Sequence, residues 1–218
     1  MMDVRLHFNY YHQALPSVAF SSDWIEGKYV LPYIKDLEKT GRMKDLVIED
    51  NLGHSWTLKE FKKLTEKVKG EKTNVSIHFD GSFRLSDHKA GIGIVLTYDE
   101  DDMSYRIREN DQLEEINSNN EAEYAALYRS IQLCSELRIE HQLVKVTGDS
   151  LVVINQLNGE WPCYEPALQR WLDRIEEECR RNHIVLEGIA VKRNENKDAD
   201  KLASQAVQGI SIRSHNEM

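Results

Sequence analysis

No apolar run in this 218-residue chain approaches the roughly 20 residues that a membrane-spanning helix needs, so no membrane partner is expected. Asp3, Arg5 and His7 precede any apolar stretch, and the hydrophobic core of a secretory signal is missing. Cysteine is scarce. Cys134, Cys163 and Cys179 fall in no metal-ligand spacing and leave an odd thiol if two pair, which fits a reducing cytoplasm. An excess of positive charge is lacking too, for the net charge is −9. Of the chain's 28 basic and 37 acidic residues, 1–72 hold 12 and 11, which leaves 16 and 26 for 73–218. Such an acidic part lacks the basic footprint of a phosphate-binding surface, unless metals, local Lys/Arg clusters or the N-terminal segment compensate. The plain alternative is that the charge serves solubility.

What is present is an ordinary globular composition, 40% hydrophobic and 30% charged, enough for a medium domain with a small companion. The polar stretch Lys69-Gly70-Glu71-Lys72-Thr73-Asn74 suggests a boundary, with a small α+β domain over 1–70 and a larger domain over 73–209. In the larger part, Val75, Ile77 and Phe79 alternate with polar residues, a strand expected to end in a Gly81-Ser82 turn. Ala90–Tyr98 and Tyr105 to about Gln112 read as two more strands, joined by the acidic hairpin loop Asp99-Glu100-Asp101-Asp102. Ser118 with Glu121 three residues on is a capping box opening a helix with Tyr124, Leu127, Ile131 and Cys134 on one face. A fourth strand (Leu143–Thr147), a short helix (Leu151 to Leu157), an amphipathic helix through Leu168–Cys179, a fifth strand (Ile184–Val191) and a helix from Lys197 to Gln208 follow. Residues 210–218 read as a polar, frayed tail. Three strands on short loops, then strands joined by helices, imply an α/β domain with a mixed five-stranded sheet.

Four acids stand out at the ends or starts of these elements: Asp80, Glu123, Asp149 and Asp200. Carboxylates brought together repel one another and stay ionised only with cations between them, so a shared site would suit hard divalent metals. Glu121 and Asp198 are nearby rivals. On a helix, Asp198 and Asp200 point roughly 200° apart, so only one of them faces such a site.

The motifs around these acids resemble type 1 ribonuclease H domains over residues 75–208. They are Asp80-Gly81-Ser82 after a hydrophobic strand, Ser118-Asn119-Asn120-Glu121-Ala122-Glu123 at a helix start, Gly148-Asp149-Ser150 after a strand, and Val191-Lys192-Arg193-Asn194-Glu195-Asn196-Lys197-Asp198-Ala199-Asp200-Lys201-Leu202-Ala203. The resemblance implies that Asp80, Glu123, Asp149 and Asp200 bind two Mg²⁺ or Mn²⁺ ions, in a register that sets Glu121 and Asp198 aside. The implied activity is hydrolysis of the RNA strand of an RNA/DNA hybrid to 5′-phosphate and 3′-hydroxyl ends. It places Asn120 and the backbone near Gly81 and Ser82 at the 2′-hydroxyl. Ser118 and Asn119, at the helix N-terminus, are candidates for a phosphate of the DNA strand. A monomer is expected, the sequence does not identify a protein partner, and a protein-contact role is one alternative for residues 1–70.

Two family features are missing. The stretch before Asp200 has no His, and Arg193 stands where some relatives carry an Arg that assists the leaving phosphate. Between Asn158 and Trp171 there is no basic protrusion. The N-terminal segment reads as strand (Val4–Tyr10), helix (Lys28–Lys39), strand (Leu46–Glu49) and helix (Thr57–Val68). Its Trp24, Trp56, Tyr10, Tyr11 and Phe20 are candidates to stack bases, and Lys59, Lys62, Lys63, Lys67 and Lys69 to meet phosphates; a core and a solvated helix face are the alternatives. A 3′–5′ exonuclease would open on Asp-x-Glu, which Asp80-Gly81-Ser82 does not match. A catalytically quiet nucleic-acid-binding or regulatory module is the rival of a different class.

Overall fold

The computed structural model describes residues 2–68 and 70–218, which divide into two compact units at Gly70 and Glu71. In the first unit, β1 (Asp3–His12), β2 (Leu15–Ser21), β4 (Met43–Asp50) and β5 (Ser55–Trp56) form a sheet in the order β2-β1-β4-β5. A two-residue β3 (Ile25–Glu26) also pairs with β1. Helices α1 (Gly27–Lys39) and α2 (Leu58–Val68) supply Val30, Ile34 and Phe61 to a core completed by Val4, Leu6 and Ile48. The expected elements are there, and β2 is an addition. All seven of its residues are exposed, so it carries no burial pattern by which to recognise it. α1 stops at its C-cap Thr40, followed by Gly41 at φ 61°. At the Asp50-Asn51-Leu52-Gly53 turn, one Asp50 oxygen accepts from the amides of Leu52 and His54 and the other from Trp56 Nε1.

The second unit is built on a six-stranded sheet, β10-β9-β6-β7-β8-β11. β6 (Thr73–Arg84), β7 (Lys89–Glu100) and β8 (Met103–Leu113) form the antiparallel meander. β9 (Leu143–Gly148) lies parallel to β6, and β10 (Val185–Ala190) parallel to β9, as the helix-linked connections require. Both residues of the Asp101-Asp102 turn have positive φ, 49° and 67°, the geometry of a tight hairpin between twisted strands. α3 (Asn119–Glu136) and α5 (Pro166–Asn182) pack together, and α3 lies on β6 and β7. α4 (Leu151–Leu157) follows β9, and α6 (Lys197–Val207) packs on β6, β7 and β8.

Two expectations are corrected. Gly81-Ser82 is no turn, because β6 runs on to Arg84 with Gly81 opposite Ile92 and Ser82 opposite Gly91. The glycine answers to a helix pressed against it, as described below. Nor is the tail frayed. Arg213–Glu217 forms β11, antiparallel to β8, and turns the expected five strands into six. Asn110, 4% exposed, fixes it: its Nδ2 donates to the carbonyls of Leu202 and Ile210, and its Oδ1 accepts from the Ile212 amide.

Candidate active site

Asp80 lies within β6, opposite Gly93 of β7. A Cβ on the neighbouring Gly81 would sit 2.2 Å from both the Ala122 carbonyl carbon and the Glu123 nitrogen. The α3 backbone therefore rests directly on β6, which brings Glu123 within electrostatic reach of Asp80. Ser118 caps α3 by accepting from the Glu121 amide at 3.1 Å, and this sets the rotation of Glu123. Asp149 comes directly after β9 and before Ser150, the N-cap of α4. Asp200 stands in the first turn of α6. That helix too meets bare backbone, for a Cβ on Gly93 would lie 2.2 Å from the Ala199 carbonyl oxygen.

Asn196 is the residue to which sequence reasoning gave no role. It is 1% exposed, and its Nδ2 donates to the Phe79 carbonyl at 2.9 Å, while its own carbonyl accepts from the Asp200 amide at 3.1 Å. It thus ties the strand residue before Asp80 to the turn that carries Asp200. Its place four residues before Asp200 in the quoted motif was the available signal.

Two of the four acids, Asp80 and Glu123, feel the charge of the others. Burial pushes the Asp80 carboxyl up to about 8, and the charges of Asp149, Asp200 and Glu123 add to the rise. Burial likewise lifts Glu123 to about 7, with Asp149 adding and the Ser150 hydroxyl and Arg193 pulling the other way. The Arg193 guanidinium pairs with Asp200, and that bond leads the causes raising its own pKa. As the side chains stand, no three His, Cys, Asp or Glu among the described residues converge as the shell of one cation. The acids are near enough to perturb one another, while Asp200 turns to Arg193 and Glu123 to Asn119.

The donor set nevertheless suits a hard divalent cation. All four groups are carboxylates, and Glu123 Oε2 is buried with no hydrogen-bond partner. The two rivals are engaged elsewhere. Glu121 accepts from the Asn117 amide and from Trp171 Nε1, and Asp198 pairs with Arg106. Of the residues expected at substrate, Ser118, Asn120 and Ser82 are half-buried and Arg193 is exposed. Asn119 has both polar atoms engaged. Its Nδ2 donates to Glu123 Oε1 at 2.9 Å and its Oδ1 accepts from the Phe83 amide at 3.3 Å.

In the first unit, Trp56 is bound to Asp50 and packs against the core. Trp24 carries the Arg5 guanidinium 4.6 Å from its ring centroid. Phe20 stacks on Phe8 at 5.8 Å beside Tyr10, whose hydroxyl accepts from Arg42. Tyr11 is 48% exposed. Lys59, Lys62 and Lys63 line exposed positions of α2; Lys69 and the side chain of Lys67 lie outside the described residues.

Known proteins bear on this arrangement. Residues 78–206 match the family described as Reverse transcriptase-like. An uncharacterized protein of Bacillus subtilis (strain 168), YpeP, is 38% identical over 218 residues, covering 100% of this chain and 96% of that one. Ribonuclease HI of Halobacterium salinarum is 29% identical over 139 residues, 61% of this chain and 64% of the relative. The crystal structure of RNase H1 from Halobacterium salinarum NRC-1 superposes with a TM-score of 0.53 at 27% identity, covering 62% of this chain and 98% of that one. The acids of β6, α3, β9 and α6 thus lie in a domain of known type, and the chain belongs to the Reverse transcriptase-like family, with a ribonuclease H-like fold in its second unit.

Proposed function

We propose that the second unit is a metal-dependent endonuclease that hydrolyses the RNA strand of RNA/DNA hybrids, leaving 5′-phosphate and 3′-hydroxyl ends. The observation that carries this reading is the gathering of four acids in which the charges of Asp149, Asp200 and Glu123 help to raise Asp80, with one buried carboxylate oxygen, Glu123 Oε2, making no hydrogen bond. Membership of a ribonuclease H-like family and the likeness to a ribonuclease HI support it.

Asp80 and Asp149 would hold two Mg²⁺ or Mn²⁺ ions in common, with Glu123 and Asp200 each completing one shell. The chemistry that bound ions supply is a water of lowered pKa, charge relief on the phosphate and support for the leaving 3′-oxygen. Burial and the neighbouring carboxylates hold Asp80 well above the usual carboxylate range, and cations in the site would favour its ionised form. Arg193, paired with Asp200 through Oδ1, would assist the leaving phosphate. Asn120 and the backbone at Gly81 and Ser82 read the 2′-hydroxyl, while the capped start of α3 at Ser118 meets the DNA strand. The chain acts as a cytoplasmic monomer, and residues 1–70 help to hold the hybrid.

The test is labelled RNA/DNA hybrid with purified protein at millimolar Mg²⁺ or Mn²⁺. Cleavage that Asp149→Asn lowers by about 10³-fold or more, with the fold intact, is the expected result. Hybrid left uncut by the wild-type chain would favour a second reading, a catalytically quiet module. That reading draws on Arg193 and Asn119 already engaging two of the four acids.

A further inference from the structure

The geometry points to Asn119 as a positioning residue that fixes which oxygen of Glu123 is offered to a divalent cation. This rests on the metal-site reading above. A carboxylate side chain in the second turn of a helix has torsional freedom, and two chemically equal oxygens with which to spend it. Here that freedom is removed. Asn119 lies one turn before Glu123 on the same face of α3, and its Nδ2 donates to Oε1 at 2.9 Å. The amide is itself held from the other end, since its Oδ1 accepts from the backbone amide of Phe83 in β6 at 3.3 Å.

The chain of contacts thus runs from a rigid strand through one side chain to one carboxylate oxygen. The second oxygen, Oε2, is buried and makes no hydrogen bond, although the Ser150 hydroxyl acts on the same carboxylate, and it is the oxygen left to a cation. The acceptor role of Oδ1 toward Phe83 also decides the orientation of the amide, because a flipped Asn119 would set two donors or two acceptors against each other at both ends. Outer partners of this kind orient ligating groups, and their loss costs about 10–100-fold in metal affinity.

Calorimetric titration of the full chain with Mn²⁺, without substrate, tests this directly. Asn119→Ala is expected to weaken binding by about tenfold or more. Asn119→Asp keeps an acceptor for the Phe83 amide and so preserves the link to β6. It sets a carboxylate against Glu123 Oε1, and its pattern of Mn²⁺ affinity should differ from wild type although its fold is retained. Unchanged Mn²⁺ affinity in both variants overturns the proposal. Cation binding by a wild-type chain that cuts no hybrid would defeat the nuclease reading alone. Failure of the wild-type chain to bind Mn²⁺ at all would defeat both.

Discussion

Gly81 and Glu123 touch backbone to backbone: a Cβ on the glycine would lie 2.2 Å from the glutamate nitrogen. No rotamer change relieves such a contact, because no side chain is involved. The joint between strand and helix thus sets how near Asp80 and Glu123 stand.

Gly81→Ala is expected to push α3 off β6, lowering stability by about 1–3 kcal/mol and removing most hybrid cleavage. Thermal melting and a cleavage assay at a temperature where the variant is folded separate the two effects. Wild-type activity in a folded variant would mean that the spacing does not matter.

The contribution of Asp80 and Glu123 to stability without metal should fall as the pH rises. Well below pH 4, both are protonated in folded and unfolded chains alike. Above that the unfolded chain releases protons that the folded chain retains up to about 8 and about 7, which favours unfolding. In a chelator, Asp80→Asn should therefore be more stable than wild type at pH 8, by about 1–2 kcal/mol, and no more stable at pH 4. Equal differences at both pH values would show that Asp80 does not titrate in this range.

Arg193 competes with a cation for Asp200 and repels it as well. Arg193→Gln should bind Mn²⁺ several-fold more tightly by calorimetry. Weaker binding would show that the guanidinium helps to order the site.

Residues 71–218 have their own hydrophobic core, so removal of 1–70 should leave them folded. If the first unit helps to hold the hybrid, KM rises more than kcat falls. An unchanged KM would remove that role and leave the Phe8, Tyr10 and Phe20 cluster without a part in binding.

Much of this was legible in the chain because local rules and the fold agree. The Ser118 cap, the alternation from Val75 to Phe79 and the two acidic turn residues each report their surroundings through a residue type suited to them. β11 was not legible: Arg-Ser-His-Asn-Glu has no apolar alternation, and its order comes from pairing with β8 about a hundred residues earlier and from Asn110. β2 escaped for a similar reason, being exposed throughout. The meaning of Gly81 was misjudged because a glycine beside a serine reads as a turn, whereas the chain uses its lack of a Cβ to admit a helix. The role of Asn119 needed two partners from different elements, Phe83 and Glu123, which spacing along the chain does not reveal.

The same bare contact at Gly93 reaches further than its position suggests. Its absent side chain makes room for the Ala199 carbonyl, one residue before Asp200. An inherited change of Gly93 to any larger residue would move the first turn of α6, and so shift a carboxylate it never touches. In a survey of natural variation, loss of this glycine would mark a lineage released from selection on the site as clearly as loss of the aspartate itself.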